Sequence, residues 1–268
     1  MRLNHPEDIV AITPDNPFDR FPDGRPKVPD DLIERMKLCT LEEAWEVLNR
    51  HGYKHQFEGG LTNYHPDRVM VGRAVTTQFV PVRADLHSVV EAWGKERGLA
   101  GFHNSWSIET LVDGDVICVD LFGKVKDGTF AGDNLGTAIA AKTNTGMVID
   151  GGLRDWARLK LIPNIGVFAR GLDVTAIAEV TMTGLNGPIR IGNATVLPGD
   201  VVLGTVSGVI FIPPSRVQEV VDHSETTRLR DQWGQMRLRE GLYTSGQVDG
   251  NWTDGMRADF EAWRLARL

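Results

Sequence analysis

Cysteine is scarce in this 268-residue chain: Cys39 and Cys118 are the only two. They lie far apart and form no CxxC pair, which argues against a thiolate zinc site and against a disulfide framework. Cys118 falls inside "DVICVDL", where a free thiol acts as a small hydrophobe. No run approaches the length of an apolar membrane span, and no apolar signal core opens the chain. These absences predict a cytoplasmic protein with no membrane partner. Positive charge is also short. Lys and Arg number 29 against 36 acids, a formal net charge of −7, which argues against a nucleic-acid partner. Two Asn-x-Thr triplets, at Asn193 and Asn251, read as chance matches without a secretion signal.

Glycine, at 29 residues, is plentiful and signals turns and close backbone approaches. Residues 1–30 hold six of the 13 prolines, which predicts an extended N-terminal arm over 1–34. A helix is predicted over 40–51, with Thr40 and Glu43 as a capping box and Gly52 as its stop. Strands are predicted over 68–82, 114–122, 146–151 and 165–171, and helices over 85–98, 133–144 and 156–161. A strand pair follows over 196–214, its turn near Pro198-Gly199. The alternation predicts an α/β fold, layered around a mixed central sheet, as one domain over 35–220. Helical spacing at Val217, Val220 and Val221, and again at Met256, Phe260 and Trp263, predicts a helical C-terminal tail over 221–268.

One constellation bears chemistry. Asp133 opens a predicted helix, and after 20 intervening residues Arg154-Asp155 leave the end of the predicted strand "GMVID". Ligand sites of open α/β sheets gather outside the carboxyl ends of strands. There Gly151 and Gly152 would let the backbone turn and approach a ligand, and the helix start after "GTFAGDNLG" would favour an anion. Two carboxylates beside a guanidinium suit a hydrated Mg2+ or Mn2+ and an oxo acid. The bland reading is a loop salt bridge between Arg154 and Asp155, with Asp133 as a helix N-cap.

The segment resembles the D-X20-R-D pattern of the metal-dependent pyruvate aldolases that act on 4-hydroxy-4-methyl-2-oxoglutarate and 4-carboxy-4-hydroxy-2-oxoadipate. Those enzymes share their fold, akin to phosphohistidine domains, with RraA-type regulators of ribonuclease E. "VGRAVTTQF", "DLHSVVEAW", "GDVICVD", "GMVIDGGLRD", "GVFARG" and "VLPGDVVLGTVSGVIFIP" match in the same order over about residues 35–220. The resemblance implies a metal on Asp155, a substrate oxygen on Arg154, and a proton-relay water on Asp133. It implies that backbone amides over Gly132, Asp133, Asn134 and Leu135 hold the pyruvyl carboxylate. It further implies a homotrimer or homohexamer with sites between subunits, where Glu225 of a neighbouring tail is the candidate extra acid. The expected reaction cleaves a 4-hydroxy-2-oxo acid to pyruvate and a second carbonyl compound, with oxaloacetate decarboxylation as a side activity. Here Asn134 interrupts the family's Gly-Asp/Glu-Leu loop, and residues 103–115 depart from the family pattern. These departures bear on the substrate, and keep open a dehydratase or decarboxylase of another oxo or hydroxy acid. A non-catalytic RraA-type regulator of a ribonuclease is the rival of a different kind.

Other residues carry weaker signals. His51 and His55 have helical metal spacing, but Gly52 interrupts it and the Glu of HExxH is missing. His87 is read as packed or hydrogen-bonded near the pocket. His103 and Trp106 are read as lying in a loop that could shape the substrate mouth. Lys124 is either a contact for an anionic substrate group or a solvated lysine.

Overall fold

The computed structural model describes residues 5–267. Three helices open the chain: α1 (Pro6–Ile12), α2 (Asp30–Met36) and α3 (Leu41–Arg50). The short strands β1 (Phe57–Glu58) and β2 (Thr62–Asn63) precede β3 (Met70–Pro81), α4 (Ala84–Glu96) and α5 (His103–Glu109). Then come β4 (Asp115–Ala131), α6 (Asp133–Thr143), β5 (Gly146–Leu153), α7 (Trp156–Leu159) and β6 (Gly166–Leu172). β7 (Val180–Leu185), β8 (Ile189–Ile191), β9 (Ala194–Val196), β10 (Val201–Thr205) and β11 (Gly208–Ile212) complete the strands. The tail is α8 (Val217–Arg239), α9 (Ser245–Val248) and α10 (Asp254–Leu265).

The main sheet runs β1-β11-β10-β3-β4-β5-β6-β2, with β7 on the second half of β3. β3, β4, β5 and β6 pair in parallel and the outer strands antiparallel. This is the layered α/β fold with a mixed sheet that the alternation predicts. Neighbouring residues of β4 serve opposite faces, as the two-residue period of a strand requires. Ile117 and Val119 join α4, α5 and α6 in one core. Val116 and Cys118 join Val148, Phe168 and the β8–β9 ribbon in another. Both faces are covered, so the strand reads as one continuous apolar run. A third cluster seats α2, α3 and α8 on Val71, Leu203 and Ile210.

Several expectations need correction. Residues 1–30 are not simply extended: α1 forms within them, and Arg25, 1% exposed, pairs bidentately with buried Asp115 at 2.7 and 3.1 Å. Residues 103–109 are helix α5, not loop. The β10–β11 turn lies at Val206-Ser207, whereas Pro198-Gly199 turns the chain from β9 into β10. β4 does not stop at 122. It makes an excursion with left-handed residues at Phe122, Gly123 and Asp127, then returns to β5.

Candidate active site

That excursion positions the site. β4 and β5 are parallel, so both carboxyl ends reach the same rim. The register first pairs Asp120 with Asp150, then shifts until Thr129 meets Gly152 and Ala131 meets Leu153. Gly132-Asp133 therefore leaves β4 beside Arg154-Asp155, and Arg154 N donates to Ala131 O at 3.1 Å. The 20-residue spacing is one α6 running away from the rim and one β5 running back. Gly151 and Gly152 do not turn the chain toward a ligand, as the sequence suggests. They lie inside β5, where a Cβ would meet Leu121 Cβ at 2.8 Å and Val125 O at 2.6 Å. Their bare backbones admit the returning strand.

Gly132 touches both partners across the rim. A Cβ there would stand 2.3 Å from Asp155 Oδ2 and 3.2 Å from Arg154 Cγ. Asp155 holds a left-handed backbone (φ 54°, ψ 30°), and its carbonyl starts α7 by accepting from Arg158 N and Leu159 N. Aspartate is among the few residues that visit this region readily. Arg154 Nε lies 3.5 Å from Asp155 Oδ2, with the two side chains 44% and 41% exposed. The bland loop salt bridge is thus present, but loose and open to solvent. Trp156 packs on Tyr64 at 4.9 Å and His65 at 5.3 Å between centroids, which anchors α7 behind the charged rim.

Asp133 is the first residue of α6, and Gly132 is the N-cap. Asp133 Oδ1 accepts from Asn134 N at 2.9 Å, so that amide is already engaged. Asp133 Oδ2 lies 3.4 Å from Arg158 Nη1. Sequence reasoning missed Arg158. Its signal was there: it follows Asp155 by three residues in a helical turn, which places it on the same face. The rim thus gathers two carboxylates and two guanidiniums, with Leu135 half-buried behind Asn134.

Other candidates lie elsewhere. Glu225 pairs with Arg35 of its own chain at 2.8 and 2.9 Å, which holds its carboxyl below the usual range. A role in a neighbour's site would require giving up that pair. His103 is fully buried: Nδ1 accepts from Met182 N at 3.1 Å, and Nε2 lies 2.8 Å from Glu91. Burial pushes its pKa down, and a ring with no exposed surface does not shape a mouth. Trp106 packs against it and is also buried. His87 bonds Thr181 through Nδ1, and His51 bonds Glu219. Lys124 sits in the β4 excursion opposite Gly151. Asp150 faces Arg170 (2.6 Å) and Gly192 N (2.9 Å), a closed structural network. Among the described residues, no three His, Cys, Asp or Glu side chains converge as metal ligands. The rim offers carboxylates singly, a donor set that fits a hard cation keeping most of its waters.

A mixed α/β sheet carrying Asp, Arg and Asp on one rim defines the class, and a model of the RraA-like family, described as aldolase/RraA, matches residues 31–211. The chain belongs to that family. Protein DlpA of Legionella pneumophila is 28% identical over 208 residues, which are 75% of this chain and 31% of DlpA. A Halalkalibacterium halodurans protein, provisionally named 4-hydroxy-4-methyl-2-oxoglutarate aldolase, is 29% identical over 119 residues, 44% of this chain and 56% of that protein. The matches thus span less than two thirds of either relative. The crystal structure of Streptomyces coelicolor RraAS2, an unusual member of the RNase ES inhibitor RraA family, aligns with a TM-score of 0.67 at 24% identity. It covers 79% of this chain and 100% of that one, a likeness of fold. No helix among the described residues is long and apolar enough to cross a membrane.

Proposed function

We propose that this chain is a divalent-metal-dependent carbon–carbon lyase that cleaves a 4-hydroxy-2-oxo acid to pyruvate and a second carbonyl compound. The observation that carries the reading is the contact of Gly132 with both Arg154 and Asp155, which gathers the separated D-X20-R-D residues on one rim. Asp155, with Asp133 nearby, would hold Mg2+ or Mn2+. When bound, the cation would draw electron density from the 2-oxo group.

The chain's own residues would do the rest. The Arg154 guanidinium faces the 2-oxo oxygen, where negative charge grows. The turn at Gly132–Leu135 receives the substrate carboxylate, with the Asn134 amide freed if Asp133 turns toward solvent. Asp133 holds a water that takes the proton of the C4 hydroxyl. The C3–C4 electron pair then passes into the enolate of pyruvate, and the C4 oxygen becomes the carbonyl of the second product. Proton return to C3 from the same water completes pyruvate. Oxaloacetate decarboxylation passes through the same enolate and is the expected side activity. The open rim also suits a homotrimer or homohexamer that closes the site between subunits.

The test is pyruvate release, read by coupled NADH oxidation with lactate dehydrogenase, from a panel of 4-hydroxy-2-oxo acids with Mn2+. Asp155→Ala should abolish it. Turnover that survives in Asp155→Ala would remove the assigned role. No turnover on any oxo acid, together with capture of a ribonuclease, would favour the regulator reading.

A further inference from the structure

A cavity of about 260 Å³ lies away from the rim, between the N-terminal segment and the ends of the outer strands. Its walls include Thr13 and Asp15 after α1, Tyr53 and Gln56 after α3, Asp200 before β10 and Pro213 after β11. No Lys, Arg or His lines it. Lys54 and His55 share the loop of Tyr53 and Gln56 but stay outside the lining. Arg20 spends its guanidinium on Thr13 Oγ1, Thr13 O and Gly24 O at 2.7–2.8 Å. The two acids of the wall therefore face no protein cation across the cavity.

Asp200 is 2% exposed, and Leu197 N, at 2.8 Å, is its carboxyl's one hydrogen-bond partner among the described residues. Burial pushes this carboxyl up to about 7. The nearby Cys118 thiol, itself pushed up by burial and by Asp200, offers no positive charge. Gln56 donates both amide hydrogens inward, to Thr195 O and Phe211 O at 3.1 Å. Its side-chain oxygen has no donor among the described residues. The cavity thus sets two carboxyls and an amide oxygen among neutral hydroxyls, with no lysine, arginine or histidine in its wall, beside an aromatic ring and proline carbons. Above about pH 7, where this carboxyl is ionised, its burial costs stability unless a cation joins it.

We infer that this cavity binds a small organic primary ammonium ion, with its N–H groups on Asp200 and Gln56 and its apolar body against Tyr53 and Pro213. An ammonium has three donors and carries the positive charge the wall lacks, so it can bond the Asp200 carboxylate and the Gln56 oxygen together. Aromatic faces also attract cations. The volume suits a ligand smaller than a typical drug-sized molecule.

Three probes of one shape and different charge test this: benzylamine, benzyl alcohol and benzoate, titrated calorimetrically into the full chain at pH 8. Benzylamine should bind, benzyl alcohol at least about tenfold more weakly, and benzoate not at all. Asp200→Asn keeps the acceptor for Leu197 N and should weaken benzylamine at least about tenfold. Tyr53→Ala, in a half-exposed loop, should weaken it severalfold and serves if the first variant misfolds. Equal binding of benzoate and benzylamine would overturn the proposal. So would no binding of benzylamine, which leaves a hydrated cavity, or unchanged affinity in Asp200→Asn. The readout is independent of pyruvate release, so this site and the rim stand or fall separately.

Discussion

Gly132→Ala is the sharpest probe of the rim. The backbone accepts alanine, because φ is −118° at this residue. The space does not. The new Cβ would stand 2.3 Å from Asp155 Oδ2 where ordinary contact begins at 3.4 Å, so the carboxylate must retreat by about 1 Å. Asp155 is 41% exposed and can swing into solvent. The change in stability should therefore stay within about 0.5 kcal/mol. Function has no such freedom. A misplacement of about 1 Å costs on the order of 100-fold in rate, or about 2.7 kcal/mol of transition-state stabilisation. Three measurements decide: kcat/KM for pyruvate release, Mn2+ affinity by electron paramagnetic resonance, and Tm. Activity and Mn2+ affinity should fall together while Tm holds. Gly136→Ala is the control. The atoms nearest its Cβ would be side-chain carbons of Ile162 and Leu159, at 3.2–3.3 Å, so turnover should persist. Wild-type kcat/KM and Mn2+ affinity in Gly132→Ala would refute the geometry.

Arg158→Ala removes the second guanidinium of the rim, whose side chain is 81% exposed. Tm should not change, since exposed pairs contribute little. KM for a dianionic substrate should rise about three- to tenfold with kcat nearly constant, and a kcat loss matching that of Asp155→Ala would contradict this role. Asp115→Ala leaves Arg25 buried and short of its bidentate partner. It should cost about 3 kcal/mol or more and lower Tm by roughly 6–12 °C; an unchanged melting curve would mean that the N-terminal segment is not held this way. Asp200 sets a pH dependence. Its folded pKa of about 7 lies above the ordinary 3.8, so the folded state holds the proton more tightly. The stability it contributes is complete below pH 3.8 and lost as pH rises through about 7. About three units at 1.4 kcal/mol each set an upper bound of about 4 kcal/mol. Asp200→Asn should therefore melt higher than the parent at pH 8 and converge with it near pH 4, and equal Tm at pH 8 would refute the burial account.

Much of this was legible from local physics. The Thr40–Glu43 capping box needs four residues, and it forms as read, with Thr40 N bonding Glu43 and Glu43 N bonding Thr40. "DVICVDL" reads as a buried strand because five of its seven residues are apolar, and all seven are buried. The α5 helix was hidden for an equally local reason. Phe102 caps it without a side-chain bond, and Gly98 and Gly101 before it signal a loop. The β4 excursion was hidden because its left-handed residues include Phe122 and Asp127, not only glycine.

Local order followed from the chain itself: the alternation of helix and strand, and the caps. These depend on contacts between near neighbours, which periodicity and composition record. Tertiary structure alone decided which distant groups meet. It set Gly132 against Asp155, brought Arg158 to Asp133, buried Arg25 on Asp115, and left Asp200 facing a cavity with no cation. Each of these joins segments separated by packing and strand register, and no local periodicity encodes such a distance.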